Sequence, residues 1–174
     1  LAVSDDKMCY LQEDLGDELL FDYIKQGRTT GIFSEDERRM LELTIRQLAH
    51  VQIKGNNGYD YSYSYPVPSF DARSIMWDLN YFKYNFLKAT GVDFQEDCLE
   101  DDFENMKRLL LSSEQPIAFM YRDFQSRNVM IKDGKPYFID FQGGRRGPLQ
   151  YDVVSFLWQA KAKIPDCLKN ELLE

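Results

Sequence analysis

The stretch YRDFQSRNVMIKDGKPYFIDF, residues 121–141, places two carboxylates and one carboxamide at the ends of short apolar runs. Asp123 and Asn128 stand in the loop that follows one apolar run, and Asp140 ends the last. The dipeptide Asp-Gly between the second and third runs is a strong signal for a two-residue hairpin turn. The spacing therefore predicts a β-hairpin near which all three polar side chains converge on one pocket.

These three side chains suit phosphoryl transfer. In such sites one Asp accepts or orients the hydroxyl of the substrate, while an Asn and a second Asp bind the Mg²⁺ that neutralises the nucleotide phosphates. Magnesium prefers carboxylate, amide and water oxygens to nitrogen or sulfur. Each residue alone is weak evidence, because Asp and Asn are common in turns for local hydrogen bonding. Their joint spacing favours an active site.

The remainder of the chain is mainly helical by its apolar periodicity. A capping box, Ser34-Glu35-Asp36-Glu37, opens an amphipathic helix that runs to about Val51. Asp71 can cap a second helix that stops near Gly91, and a third is expected between about Glu96 and Ser112. An apolar helix follows Pro148. The tyrosine-rich and proline-rich segment 59–68 is expected to be an exposed loop. The fold class is thus α+β.

Composition narrows the possible partners. The 174 residues suffice for one domain, and 44% of them are hydrophobic. Because 29 acidic residues oppose 21 basic ones, for a net charge of −8, a surface that binds nucleic acid is not expected. No apolar run approaches the roughly 20 residues of a membrane helix. The three cysteines lack metal-ligand spacing, so we expect free thiols in a cytoplasmic protein.

The loop of residues 121–128 resembles the HxDxxxxN catalytic motif of protein-kinase-like phosphotransferases, and IDFQ at 139–142 resembles their metal-binding DFG. The sequences RDFQSRNVM and IDFQGG…GPLQYDVVS resemble motifs of the aminoglycoside phosphotransferase and choline kinase branch more than those of protein kinases. Within it the chain is most similar to bacterial sugar kinases that act on N-acetylmuramate and N-acetylglucosamine. The resemblance implies ATP-dependent and Mg²⁺-dependent phosphorylation of a small-molecule hydroxyl, on a sugar or amino sugar.

The resemblance implies a role for each residue of the motif. Asp123 would be the catalytic base, and Asn128 and Asp140 the metal ligands. Asp152 resembles the buried Asp that holds the backbone of the catalytic loop in this family. Tyr121 stands where the family usually has His, a position that supports the loop from beneath.

Nucleotide contacts are implied in the same way. Glu13 to Leu15 would form the hinge whose backbone contacts adenine. Met130 and Ile139 would pack against one face of the adenine ring. Both of these apolar residues suit ordinary core packing equally well.

Three further residues are candidates for phosphate or substrate binding. Gln125 stands where protein kinases have a Lys, so Arg127 or Arg122 would supply the positive charge, unless it pairs with a structural carboxylate. Arg145 lies in the segment 143–147, either the start of an activation-like segment or a flexible solvated turn. Tyr81 can stack on a sugar or pack on its own helix.

By the resemblance, residues 1–18 are the end of an amino-terminal-lobe strand and the hinge. Residues 19–174 are then the mainly helical carboxyl-terminal lobe of a protein-kinase-like fold, with a small hairpin carrying the catalytic and metal loops. A complete kinase also needs a Gly-rich strand pair and a strand Lys paired with a helix Glu. We therefore expect a fragment with weak ATP binding and little turnover, whose partners are the missing lobe of the same protein and any further attached domains. Two alternatives stay open: a catalytically inactive ligand-binding or regulatory module, and a Mg²⁺-dependent phosphohydrolase.

Overall fold

Helices of 3 to 21 residues and three antiparallel strand pairs occur in this computed structural model, which describes residues 2–112 and 117–174. The helices are α1 (Leu20–Tyr23), α2 (Lys25–Thr30), α3 (Glu35–Gly55), α4 (Ala72–Phe82), α5 (Lys88–Thr90), α6 (Glu96–Leu110), α7 (Gln150–Leu157) and α8 (Asp166–Leu173). The strands are β1 (Ala2–Val3), β2 (Tyr10–Leu11), β3 (Ile117–Met120), β4 (Val129–Lys132), β5 (Lys135–Phe138) and β6 (Arg145–Pro148). The architecture is α+β.

The β4–β5 hairpin expected from the sequence is confirmed. Val129 lies opposite Phe138, and Lys132 lies opposite Lys135. Asp133 and Gly134 join the strands with φ of +52° and +69°. A two-residue hairpin turn of type I′ requires positive φ at both central positions, and the Asp-Gly dipeptide accepts it.

Of the two alternatives for residues 143–147, the flexible solvated turn is wrong, because residues 145–148 form strand β6. This strand pairs with β3, and Met120 lies opposite Arg145. Two glycines here have a packing role: a Cβ on Gly144, just before the strand, would lie 2.5 Å from the Phe119 ring, and one on Gly147, within the strand, would lie 2.7 Å from the sulfur of Met120. The strand sequence Arg-Arg-Gly-Pro lacks the apolar alternation by which strands are recognised in sequence.

The described residues divide into two compact units, and α3 contributes to both. The first unit comprises residues 2–48, 124–140 and 155–174. Its interior is apolar and includes fully buried residues from α1, α3, α7 and α8: Leu20, Leu41, Leu48, Phe156 and Leu168. Two short helices of this unit, α1 and α2, meet at Ile24.

The capping box at the start of α3 also fixes α2. The Ser34 N–H donates to Glu37 Oε2 at 2.8 Å, and the Glu37 N–H donates to Ser34 Oγ at 3.3 Å. The other carboxylate oxygen of Glu37, which is 3% exposed, accepts the N–H of Gly27 at 2.9 Å. One buried carboxylate therefore satisfies donors from two segments.

Replacing Glu37 by Ala is expected to lower the free energy of unfolding by about 1 to 3 kcal/mol, because the buried Gly27 N–H loses its acceptor. Urea unfolding monitored by circular dichroism measures the change. The matched control is Glu35→Ala in the same helical turn. Because the Glu35 carboxylate is exposed, its loss is expected to lower the free energy of unfolding by only about 0.5 kcal/mol. Equal losses in both variants would contradict this role of Glu37.

The second unit comprises residues 49–112, 117–123 and 141–154. Phe70, Ile75 and Met120 form its buried cluster. Against them pack Leu79, Leu110 and Tyr151. As expected, Asp71 caps α4, accepting the Ser74 N–H at 2.9 Å. The chain from residue 72 to Gly91 is helical, as expected, but Lys83–Leu87 makes a π-helical turn within it.

Lys83, only 5% exposed, explains the acidic start of α6. Its ammonium group contacts the carboxylates of Glu96 and Glu100, each at 2.6 Å. These ion pairs thus attach the π-helical turn to α6. None of the helices in the described part of the chain combines the length and apolarity needed to cross a membrane.

Candidate active site

Strand β3 leads directly into Tyr121-Arg122-Asp123, and a buried carboxylate holds the backbone there. Asp152, on α7, has no exposed surface. Its Oδ2 accepts the N–H of Tyr121 and its Oδ1 accepts the N–H of Arg122, both at 2.7 Å. This is the geometry that the expected supporting role of Asp152 requires. Tyr121 itself is 2% exposed, and its ring meets that of Phe119 edge-on.

Gln52 is a third donor to Asp152 and was not anticipated from the sequence. Its Nε2 donates to Asp152 Oδ2 at 2.7 Å and to the carbonyl of Leu149 at 3.0 Å. Burial raises the pKa of Asp152 to about 6, although its three N–H donors act in the opposite direction. The available signal was a polar residue on the apolar face of α3, four positions after Leu48.

Arg122 directly precedes the proposed base. Its φ is +78°, and its guanidinium pairs with Asp78 of α4 at 2.8 Å. The positive charge of Arg122 is therefore matched by a carboxylate within the second unit. Asp123, which follows, is exposed.

Beyond Asp123 the loop belongs to the first unit, where Phe124 and Ser126 anchor it. Phe124 has no exposed surface and packs against Phe138 and Phe156, at centroid distances of 4.8 and 5.2 Å. Ser126 is also fully buried, and both its N–H and its hydroxyl donate to Gln159 Oε1, at 3.1 and 2.6 Å. These contacts hold the 3₁₀ turn Ser126–Asn128.

Asn128 stands just before β4 and Asp140 stands two residues after β5, at the end of the hairpin that is opposite its turn. The N–H of Ile139 donates to the carbonyl of Asn128 at 3.0 Å, which extends the β4–β5 pairing by one step. Asn128 is 9% exposed, and Asp140 is exposed with a φ of +68°. The two residues expected to bind magnesium therefore lie at the same end of the hairpin, where Asn128 pairs with Ile139, the neighbour of Asp140.

The donor chemistry of this pair fits Mg²⁺. Within the described ranges there is no group of three or more His, Cys, Asp and Glu residues that could hold a metal ion. Magnesium does not need one, since it keeps several waters and is commonly bound through one or two protein oxygens together with substrate phosphates. An amide oxygen of Asn128 and a carboxylate of Asp140 satisfy that requirement.

The segment expected to be the hinge runs beside β4. The N–H of Ile131 donates to the Glu18 carbonyl at 2.8 Å, and Leu19 forms a β-bridge with Met130. Lys132 Nζ contacts the Glu13 carboxylate at 2.6 Å and the Asp14 carbonyl at 2.8 Å. The proposed adenine contacts at Glu13, Leu15, Met130 and Ile139 therefore belong to one unit. Met130 is buried, and Leu15 and Ile139 are half-buried.

The other candidates have different surroundings. Arg127 is exposed, with its guanidinium 4.6 Å from the centre of the Phe21 ring. Tyr81 is 59% exposed and stacks on Trp77.

Arg145 requires a correction. It is 4% exposed, and it donates to the carbonyls of Gly143 and Tyr65 at 2.9 and 3.1 Å. Burial lowers the pKa of its guanidinium. Arg145 is therefore a structural residue of strand β6 and not a cation on a solvated loop.

Known proteins resemble this chain in sequence and in fold. An N-acetylmuramate/N-acetylglucosamine kinase of Neisseria meningitidis serogroup B is 26% identical over 162 residues, which are 88% of this chain and 46% of the relative. The kinase of the same name from Pseudomonas aeruginosa is 30% identical over 103 residues, 58% of this chain and 30% of the relative. The chain thus spans half or less of the length of these relatives.

Among solved structures, the ADP-bound aminoglycoside phosphotransferase APH(2'')-Ib aligns with a TM-score of 0.56 at 16% identity. The alignment covers 94% of this chain and 53% of that chain. This likeness shows that the fold is that of the kinase-like aminoglycoside phosphotransferases. In addition, residues 28–168 match the model of the phosphotransferase enzyme family. The chain belongs to the phosphotransferase enzyme family.

Proposed function

We propose that the protein is an ATP-dependent and Mg²⁺-dependent phosphotransferase that acts on a hydroxyl of an amino sugar or another sugar. The observation that supports the proposal is that Asn128 and Asp140 stand at the same end of the β4–β5 hairpin, where the N–H of Ile139 donates to the carbonyl of Asn128 at 3.0 Å. An amide and a carboxylate so placed form a hard-oxygen pair in a chain of the phosphotransferase family.

Asp123 is proposed to act as the base. Its carboxylate accepts the proton of the acceptor hydroxyl as the oxygen of that hydroxyl attacks the terminal phosphorus of ATP, and ADP departs. Asn128 and Asp140 would hold Mg²⁺, which when bound neutralises charge on the phosphates. Asp152 keeps the start of the loop in place by binding the N–H groups of Tyr121 and Arg122.

The adenine end is proposed to lie along β4. Residues 1–18 would contribute the hinge, with backbone groups of Glu13 to Leu15 meeting adenine, and residues 19–174 would be the carboxyl-terminal lobe. Because the Glu13 carboxylate is bound to Lys132, its backbone rather than its side chain would face the base. Met130 and Ile139 would provide the apolar floor.

The class of acceptor follows from the relatives, whose names specify N-acetylmuramate and N-acetylglucosamine. Arg127 and Tyr81 are the candidates for substrate or phosphate contact, since both are exposed. An aromatic ring such as Tyr81 offers an apolar face to a sugar, and Arg127 offers a charge to a phosphate.

The function is tested with full-length protein, labelled ATP, Mg²⁺ and a panel of sugars and amino sugars. Asp140→Asn is expected to lower labelling by about 100-fold, because the metal loses its carboxylate ligand. Raising the Mg²⁺ concentration should recover part of the loss. The matched control is Asp133→Asn in the turn of the same hairpin, where Asn tolerates a φ of +52° and activity should be unchanged.

Other outcomes would point to other functions. Binding of Mg·ATP without any phosphorylated product would identify a ligand-binding module. Phosphate release from ATP without an acceptor would identify a phosphohydrolase. Equal labelling by wild type and Asp140→Asn would refute the metal assignment.

A further inference from the structure

Arg122 has an unusual backbone conformation one residue before Asp123. Its φ of +78° lies in the left-handed region, which residues other than Gly seldom adopt. Such a conformation persists only where the surrounding structure holds it. The backbone angles of Arg122 set the position and direction of the next residue, Asp123. Interactions that stabilise the conformation of Arg122 therefore also orient the proposed base.

The side chain of Arg122 is held as firmly as its backbone. Nη2 contacts Asp78 Oδ1 at 2.8 Å and Nη1 contacts Asp78 Oδ2 at 3.3 Å. Two parallel contacts of this kind fix the plane of the guanidinium as well as its position. The rings of Phe70 and Tyr151 lie 5.2 and 5.9 Å from its central carbon.

Tyr151 closes a circuit that consists of hydrogen bonds and the peptide bond between Tyr151 and Asp152. Its hydroxyl donates to Asp78 Oδ2 at 3.2 Å, and Tyr151 immediately precedes Asp152, which accepts the Arg122 N–H. Burial raises the pKa of Tyr151 to about 12, so the phenol remains a donor at neutral pH. The circuit runs from the Arg122 backbone through Asp152, Tyr151 and Asp78 back to the Arg122 side chain, entirely within the second unit.

We propose that Asp78 and Tyr151 are positioning residues for phosphoryl transfer, which hold Arg122 in its left-handed conformation and thereby orient the carboxylate of Asp123. The inference rests on the function proposed above. It also assigns Arg122 to the support of the loop rather than to the transferred phosphate, because both terminal nitrogens of its guanidinium face Asp78.

The test compares kcat and the KM for ATP of full-length variants. Asp78→Ala is expected to lower kcat by about 10- to 100-fold, the effect of a misoriented catalytic group, with KM for ATP within about twofold. Tyr151→Phe removes one neutral hydrogen bond and should lower kcat by about threefold. The matched control is Asp71→Ala, which removes the cap of the same helix α4 and should lower the melting temperature while leaving kcat unchanged.

Glycine at position 122 separates positioning from general stability, because it adopts positive φ without strain. In the Arg122→Gly background, Asp78→Ala should lower kcat by less than about twofold, since Asp78 then has no guanidinium to hold. If the two single losses multiply in the double variant, or if Asp78→Ala leaves kcat within twofold of wild type, the inference is overturned.

Failure of the proposed function would be recognised separately, because wild-type protein would then label no acceptor. The support of Arg122 by Asp78 would still be tested by hydrogen exchange at the Arg122 amide. Asp78→Ala should accelerate this exchange about tenfold, and Asp71→Ala should not. Equal exchange in the two variants would refute the support of Arg122 by Asp78 whatever the protein catalyses.

Discussion

Asp123→Asn is expected to lower kcat for phosphorylation by about 100- to 10,000-fold, the range typical of a lost general base. Asn has nearly the same shape as Asp but cannot take up the proton of the acceptor hydroxyl. Since Asp123 is neither a proposed metal ligand nor part of the hinge, the affinity for Mg·ATP should change little. Initial rates with labelled ATP and an accepted sugar measure kcat, and calorimetric titration measures the affinity.

The control for Asp123 is the same substitution at Asp133, an exposed carboxylate in the hairpin turn, which should leave both quantities unchanged. Equal labelling by wild type and Asp123→Asn would remove Asp123 from the role of base. A loss of nucleotide affinity that matches the loss of rate would instead make Asp123 a metal ligand.

Asp152→Ala is expected to give the largest loss of stability, about 3 to 5 kcal/mol in the free energy of unfolding at pH 7. The substitution leaves three N–H donors without their acceptor: the Tyr121 and Arg122 amides and the Gln52 side chain. Urea unfolding measures the loss. The control is Asp166→Ala at the start of α8, whose 89% exposed carboxylate should contribute less than about 1 kcal/mol.

The pH dependence of stability, compared between wild type and Asp152→Ala, is a stricter test of the role of Asp152. Folded Asp152 has a pKa of about 6 against 3.8 as the ordinary value, so between these values the folded state binds more protons than the unfolded state. The stabilisation from protonation is complete below pH 3.8 and is lost as pH rises through 6. The stability of wild type relative to Asp152→Ala should therefore increase by about 2 kcal/mol from pH 7 to pH 4. A flat or opposite trend would contradict the buried carboxylate.

Local signals account for what could be predicted from the sequence. The hairpin followed from an Asp-Gly turn between apolar runs, and the start of α3 followed from a capping box. The register of that hairpin then puts Asn128 opposite Ile139, and so at the same end of the hairpin as Asp140. In each case the interacting groups are close along the chain, so spacing alone constrains them.

Contacts between distant segments could not be predicted in this way. Arg122 lies 44 positions from Asp78, Gln52 lies 100 positions from Asp152, and Ser126 lies 33 positions from Gln159. A polar residue on a helix has no local feature that identifies such a partner. Strand β6 was missed for a related reason, since the role of its Gly147 is explained by the Met120 side chain of β3 packed against it.

Strand β4 joins the two halves of the proposed nucleotide site. Asn128 precedes it, and at its other end Lys132 is bound to Glu13 and to the Asp14 carbonyl. At about 3.4 Å per residue, the four steps from Asn128 to Lys132 span about 13 Å. The strand would thus act as a spacer of fixed length between the adenine end and the phosphate end of ATP. Gain or loss of one residue would change that length and also turn Met130 to the opposite face of the hairpin, so this strand should not tolerate insertions or deletions.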